Sequence, residues 1–222
     1  MRNKRRKIEE LKSKATILDV GCGTGEFLHE MQQHGWQTTG LETNERAADY
    51  AKAEYGLSVS TSELAGVDFE ESSFDVITFW HVLEHVLDPV QTLMIARRIL
   101  KDDGIILVAC PNVESADARF YGSNWVALDA PRHLSHFVPA TLARACEKSA
   151  LEIFKLQPMF LDAIYNCLMS ELLVAKMGGN KIFMAPALWI RGCLLAAVSL
   201  NTSMFKREKG SAVLYFARKR ER

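Results

Sequence analysis

The sequence predicts an α/β domain built on a doubly wound sheet, and three observations carry that prediction. Short apolar, β-branched runs alternate with helix-length amphipathic segments from residue 15 to residue 157. The first run ends in a glycine-rich turn, Asp19-Val20-Gly21-Cys22-Gly23-Thr24-Gly25, with a helix pattern directly after it. The second run ends on an acidic residue, Glu42.

The elements follow in order. Residues 3–13 read as a short charged helix. Ala15-Thr16-Ile17-Leu18-Asp19-Val20 is a buried parallel strand that stops at glycine. Residues 24–34 form an amphipathic helix with Phe27, Leu28 and Met31 on one face and Gly35 as its stop. A strand over 36–42, a helix over 45–55 closed by Gly56, and a strand over 57–61 come next. Then follow strands 74–80, 104–110 and 151–157, with helices 89–100 and 139–149 between them. Strand–helix–strand crossovers of this kind are right-handed, which leaves few topologies. The alternation breaks over 111–138, a long segment rich in Pro, Asn, His and aromatic residues. A segment of this length inside a compact domain is expected to be functional. It breaks again over 159–204, which is helical and strongly apolar, before a last strand beginning Ser211-Ala212-Val213-Leu214. The expected division is therefore a main domain of 1–158 and 205–222, with 159–204 as an insertion.

Composition narrows the partners. Basic and acidic residues number 27 each, so no global field draws nucleic acid or anionic lipid. Basic residues cluster at the two ends, in Arg2, Lys4, Arg5, Arg6 and Lys7 and in Arg218, Lys219, Arg220 and Arg222, where solvated termini are the expected reading. The five cysteines form no C-x-x-C pair, which points away from a disulfide framework or zinc ribbon and toward a reducing compartment. The basic N-terminus runs into Ile8-Glu9-Glu10-Leu11 and lacks the apolar core of a secretory signal, so a cytoplasmic location is expected.

The glycine turn carries the chemistry. At a strand-to-helix turn, glycines let the backbone approach a ligand closely beside the positive end of a helix. An acidic side chain about 20 residues on accepts hydrogen bonds from ribose hydroxyls. A dinucleotide site spaces its glycines G-x-G-x-x-G to admit a pyrophosphate. Here the third glycine, Gly25, comes one residue early and Glu26 follows it, where a carboxylate repels phosphate. S-adenosylmethionine carries no phosphate but does carry an ammonium and a sulfonium, and an acidic loop suits it better.

LDVGCGTGEF, the acidic Glu42, SFDVITFWHVLEHV and GIILVACPN resemble the class I methyltransferases. Within these, the chain is similar to the type 11/23 group, which includes the ubiquinone-biosynthesis O-methyltransferases. The resemblance covers residues 15–157 and the last strand. It implies a Rossmann-like, seven-stranded sheet whose final strand, 211–219, inserts antiparallel, with an apolar helical insertion before it. It also implies that S-adenosylmethionine is the cofactor. The loop of Asp19, Gly21, Cys22, Gly23 and Gly25 then wraps the methionine end, and Glu42 holds the ribose. Glu63 and Leu64 border the adenine, and Trp80 contacts the cofactor.

His81-Val82-Leu83-Glu84-His85 matches an inverted zinc motif, but Asp88-Pro89 leaves no room for the helix such a motif needs. Local hydrogen bonding by Glu84 and His85, with His81 lining the active site and no metal, is the expectation. For a hydroxyl acceptor a general base helps, and histidine suits neutral pH. The run Trp125-Val126-Ala127-Leu128-Asp129-Ala130-Pro131-Arg132-His133-Leu134-Ser135-His136-Phe137 supplies candidates and resembles a signature of the type 23 branch. His133 and His136 are expected to bind the acceptor or remove its proton. Arg132 would pair with an anionic group, and Trp125 would contact the substrate. Knitting of the loop through buried hydrogen bonds is the competing reading for Asp129, Arg132 and the histidines.

Within the insertion, 159–177 and 182–200 are apolar, but Asp162, Glu171, Pro186 and Arg191 argue against true membrane spans. A lid, a homodimer surface and a hairpin at a lipid surface flanked by Lys176, Lys181, Lys206, Arg207 and Lys209 all remain open. The expected activity is methyl transfer to a small-molecule acceptor, at oxygen, on a glycan, a phenol or quinone-like compound, or a lipid-linked intermediate. A non-catalytic S-adenosylmethionine-binding protein is the alternative, and it would not need His133 or His136. Nucleic acid is not an expected substrate: the motif used for exocyclic amines is absent, and Cys110-Pro111-Asn112 stands in its place.

Overall fold

The computed structural model describes residues 1–177 and 185–220. Seven strands form one sheet: β1 (Thr16–Val20), β2 (Gln37–Leu41), β3 (Val59–Ser60), β4 (Phe74–Trp80), β5 (Leu100–Pro111), β6 (Leu151–Pro158) and β7 (Ala212–Lys219). Their order is β3-β2-β1-β4-β5-β7-β6. Strands β1 to β5 pair in parallel, and β7 runs antiparallel to both β5 and β6. The sheet is the doubly wound one that the alternating pattern predicts, with the seven strands and antiparallel last strand that the family resemblance implies.

Helices α1 (Arg2–Glu9), α2 (Glu26–Gln33) and α3 (Glu45–Tyr55) cover one face, and α4 (Pro89–Ile99) and α6 (Pro139–Lys148) cover the other. The pleat sorts the central strands between these layers: Ile17 and Val76 face α1–α3, while Leu18 and Ile77 face α4 and α6. Local chemistry sets the helix ends. Asn44 accepts from the Ala47 N–H at 3.1 Å to start α3, and Asp88 accepts from the Gln91 N–H at 2.9 Å to start α4, with Pro89 next. From the middle of the sheet, β1 leads outward to β2 and β4 leads the opposite way to β5. The crevice between their carboxyl ends is the topological switch point where ligands of such sheets bind.

The departures from expectation lie at the sheet's margins and in the two irregular segments. The third strand shrinks to Val59–Ser60, because it is an edge paired only to β2. Strand β5 begins at Leu100, directly after α4, rather than at 104. The 111–138 segment holds a short helix, α5 (Ala116–Tyr121), whose first turn is capped when Ser115 accepts from the Ala118 N–H. Two 3-10 turns follow it, at Gly122–Asn124 and Val126–Leu128.

Between β6 and β7 the chain forms α7 (Phe160–Met177) and α8 (Ala185–Phe205). The two helices pack on each other and against α5, and α8 runs past the expected end at 200. A pair of helices returns the chain to the same end of the sheet at which β6 finished, so β7 enters from that end between β5 and β6 and must run antiparallel. The expected helix start at 182 lies outside the described residues, as do Lys181 and Arg222. Among the described residues, no helix is long and apolar enough to cross a membrane.

Candidate cofactor and acceptor site

The glycine loop leaves the end of β1 and is tied to the end of β2, since the Gly21 and Cys22 N–H groups both donate to the Leu41 carbonyl, at 2.7 and 2.9 Å. Gly21 takes φ +71°, and a Cβ there would stand 2.5 Å from Cγ2 of Val82, so both conformation and space require glycine. Gly23 takes φ +57° with no atom within 4 Å of where a Cβ would be. Its face is open, as a backbone that meets a ligand must be. Gly25 forms the N-cap of α2.

Glu42 bridges this loop to the next element. One carboxylate oxygen accepts from the Gly23 N–H at 2.8 Å and the other from the Asn44 N–H at 2.8 Å. Asp19 is buried and accepts from the Thr78 hydroxyl at 2.6 Å. Burial, helped by the charge of Glu42, pushes its carboxyl up to about 7 against the opposing pull of Thr78 and Lys4. The Cys22 thiol is pushed up to about 12 by burial and by Asp19 and Glu42, so it is a packing residue and no nucleophile. The loop thus carries three carboxyl groups, with Asp19 buried at its start, Glu42 on the Gly23 N–H and Glu26 on the Thr24 hydroxyl. That cradle suits a ligand with a ribose and cationic groups and disfavours a pyrophosphate. Glu63 is exposed at the start of a 3-10 turn, whereas Leu64 is buried in the core on the α4 side.

Trp80 ends β4 with its indole N–H unpartnered. Phe27 packs edge-on against it at 5.4 Å, and the Lys4 ammonium sits 4.2 Å over its ring. Burial lowers the pKa of Lys4, although Asp19 and Asp162 pull the other way. Beside Trp80 lies a cavity of about 890 Å3. Its walls are the basic helix α1, the junction of β6 with α7 at Phe160 and Asp162, and the end of α8 at Met204 and Arg207.

His81 follows with φ +58°, a strained value for a non-glycine residue. Its Nε2 lies 3.2 Å from Asp162 and its Nδ1 3.4 Å from Glu84. Burial alone would lower its pKa, but the two carboxylates together raise it to about 9, so the ring is an imidazolium at neutral pH.

Leu83–His85 is a single 3-10 turn, too short to place His81 and His85 on one helical face. The buried Glu84 instead anchors the loop after β5: its carbonyl accepts from the Leu134 and Ser135 N–H groups at 2.8 and 3.1 Å, and its carboxylate accepts from the Cys110 thiol at 3.5 Å. His85 Nδ1 donates to the Arg132 carbonyl at 3.0 Å and His133 Nδ1 to the Ala127 carbonyl at 2.9 Å. A carbonyl only accepts, so both rings carry hydrogen on Nδ1. Burial lowers the pKa of His133 and favours its neutral form. One ligand atom each from Glu84, His85 and His133 lies within 4.8 Å of the others. Groups of these types at that spacing can share a cation.

The remaining expected residues are placed as follows. His136 donates from Nε2 to the Leu128 carbonyl at 2.8 Å and is otherwise exposed. Arg132 is exposed and paired with Asp129 at 2.8 Å. Trp125, expected at the substrate, is only 1% exposed. Its indole N–H donates to Asp117 at 2.9 Å and its ring packs in the cluster joining α5 to α7 and α8, leaving no face for a ligand. Asp162 and Lys4 are site residues that sequence reasoning missed. The one available signal was a lone carboxylate in the first turn of an otherwise apolar helix.

A doubly wound sheet with β7 antiparallel, an open glycine loop and an acidic residue just past β2 bonded to that loop are the features of a methyltransferase of the S-adenosylmethionine-dependent class. A family model of a methyltransferase domain, type 23, matches residues 1–156 of the 222, and the chain belongs to that family. Among curated proteins, it is 29% identical over 160 residues to a ubiquinone biosynthesis O-methyltransferase of Azoarcus sp. strain BH72, covering 67% of this chain and 69% of that one. It is 29% identical over 167 residues to the enzyme of the same name from Idiomarina loihiensis, covering 70% and 69%. Among solved structures, the cyclase SpnF superposes with a TM-score of 0.67 at 19% identity, covering 99% of this chain and 80% of that one. A methyltransferase of Thermotoga maritima described as a possible histamine N-methyltransferase gives 0.63 at 19% identity, covering 97% and 87%. Likeness at this level of identity establishes the fold. The protein is an S-adenosylmethionine-dependent methyltransferase.

Proposed function

We propose that this methyltransferase acts on a hydroxyl of an amphiphilic small molecule, a phenol or quinone-like compound or a lipid-linked intermediate. The observation that carries the reading is the cavity beside Trp80, which combines an apolar wall at Pro158, Met159 and Phe160 with the cations Arg2, Arg6 and Arg207. A glycan alone would leave that apolar wall unused. The name shared by the curated relatives, ubiquinone biosynthesis O-methyltransferase, supports oxygen as the acceptor atom.

S-adenosylmethionine supplies a methyl group already activated by its sulfonium. The chain's own part is to hold, orient and deprotonate. The backbone at Gly21 and Gly23 would hold the methionine end, Glu42 would take the ribose hydroxyls, and the exposed Glu63 would border the base, while Leu64 packs beneath in the core. Trp80 separates cofactor from acceptor and helps exclude water. His81, protonated between Asp162 and Glu84, lines the site and would donate to the acceptor from Nε2 by giving up its Asp162 contact. His133, neutral and with a free Nε2 lone pair, takes the acceptor's proton. His136 and Arg132 steady the loop that carries it.

The test is transfer of labelled methyl from S-adenosylmethionine to a panel of prenylated phenols, glycans and amines, with product analysis. The expected product is a methyl ether of a phenolic or lipid-linked hydroxyl. His133→Gln should lower turnover about 100-fold while calorimetric affinity for S-adenosylhomocysteine stays unchanged. Label on nitrogen, or an unaltered rate in the His133 variant, would overturn the assignment.

A further inference from the structure

The helices α7 and α8 are turned inside out. A surface helix normally buries its apolar stripe and exposes its polar one. Here the buried side is small and polar, with Ala163, Cys167 and Ala196 beside Asn166, Ser170, Glu171 and Ser199. Asn166 donates to the Ser211 hydroxyl at 2.8 Å, and the Ser170 hydroxyl accepts from the Val126 N–H at 2.9 Å. Glu171 accepts from Tyr121 at 2.8 Å and from Arg191, and Ser199 donates to Asp117 at 2.8 Å. The outer side is apolar: Leu161, Tyr165, Ile190, Leu194, Val198 and Phe205 are each more than half exposed. The spacing 190, 194, 198 sets three of them in one row along α8. So much apolar surface on one face of a folded domain calls for something to cover it.

The exposed charges around the face are mostly basic, with Glu208 and Glu10 as the acidic exceptions. The two carboxylates of the hairpin, Asp162 and Glu171, turn inward to His81 and Arg191. Among the described residues, the exposed charges of α7 and α8 are Lys176 and Arg191, and Lys206 and Arg207 follow directly. Arg2, Arg6 and Arg207 rim the cavity that Phe160, Leu161 and Met204 also line, so the cavity mouth sits where the apolar face meets the basic rim. A second copy docked through this face would set cation against cation. An anionic bilayer surface would match both features at once, with apolar side chains sinking to the acyl boundary and cations meeting headgroups. Neither helix can span.

We infer that the outer face of α7 and α8 docks the protein on an anionic lipid surface, with the cavity mouth toward the membrane. The inference stands apart from the identity of the acceptor, because it rests on the surface and not on the chemistry.

Trp189 is 48% exposed on α8, while Trp36, Trp80 and Trp125 are buried, so one indole reports the face. The full-length chain is mixed with vesicles of pure phosphatidylcholine or of phosphatidylcholine with phosphatidylglycerol, and flotation and tryptophan emission are read. Flotation should rise about tenfold with phosphatidylglycerol, weaken in high salt, and bring a blue shift of emission. The Ile190→Glu, Leu194→Glu double variant should lose flotation and shift while keeping its circular dichroism and its affinity for S-adenosylhomocysteine. If that variant does not fold, Lys206→Glu, Arg207→Glu serves, with a loss confined to anionic vesicles. Absence of flotation by the folded wild-type chain overturns the inference. So does a stable dimer in light scattering that the Ile190→Glu, Leu194→Glu variant dissolves, which would assign the face to a second copy.

Discussion

Replacing Asp19 by asparagine keeps the shape of the side chain and the acceptor for the Thr78 hydroxyl, but removes a carboxyl that the fold holds at about 7 instead of an ordinary 3.8. Its folded value is raised, so the folded chain keeps the proton over a pH range where the unfolded chain has lost it. Wild-type stability associated with this group is therefore intact below about pH 4 and is lost as pH rises through about 7. The full difference corresponds to about 4 kcal/mol once both states are ionised, and to about 2 kcal/mol at pH 5, where only the unfolded state is. Asp19→Asn should accordingly be the more stable protein. Urea unfolding of both proteins should give a gap of about 2 kcal/mol at pH 5 and about 4 kcal/mol at pH 8, with an unchanged slope in denaturant. A gap independent of pH, or a variant less stable than wild type at pH 8, would refute the reasoning that Asp19 is held against desolvation. The site explains why such a residue is kept. A cationic ligand offsets the cost of its charge, so the same variant should bind S-adenosylhomocysteine about tenfold more weakly at pH 8.

Two further outcomes can be checked in the same way. Gly21→Ala places a methyl group 2.5 Å from Val82 at φ +71°. It should destabilise the fold by roughly 1–3 kcal/mol and abolish measurable cofactor binding by calorimetry, whereas a binding-competent variant would show that the loop yields. Glu171→Ala strips Tyr121 and Arg191 of their shared acceptor. Urea unfolding should register a loss of about 2 kcal/mol, with Glu171→Gln losing less; an unchanged midpoint would show that α7 and α8 are held by packing alone.

The geometry of the glycine loop and its acidic partner was legible because it is local in sequence. Gly21, Gly23 and Gly25 sit on one strand–helix turn, and the strand ending at Glu42 pairs directly with the strand ending at Val20. A short-range pattern thus forces a short-range geometry. Trp125 shows the opposite case. Its loop matched a family signature, but burial depends on α7 and α8, some 40 residues further on, and nothing near Trp125 in the chain announces them. The charge state of His81 was not legible, because it depends on Asp162, a residue 81 positions away that the sequence presents only as a flaw in an apolar helix.

The doubly wound sheet, its glycine loop and the class of cofactor are written in the chain's short-range pattern. Each follows from periodicity and from turn chemistry acting over a few residues. Long-range packing sets which side chains share a cavity, which histidine is charged and which is neutral, and that apolar residues of α7 and α8 face outward. A helical period says that an apolar stripe exists. Only packing says which side of the helix meets the protein, and here the small, polar side does, because Asp117, Tyr121 and Ser211 wait there with hydrogen bonds to complete.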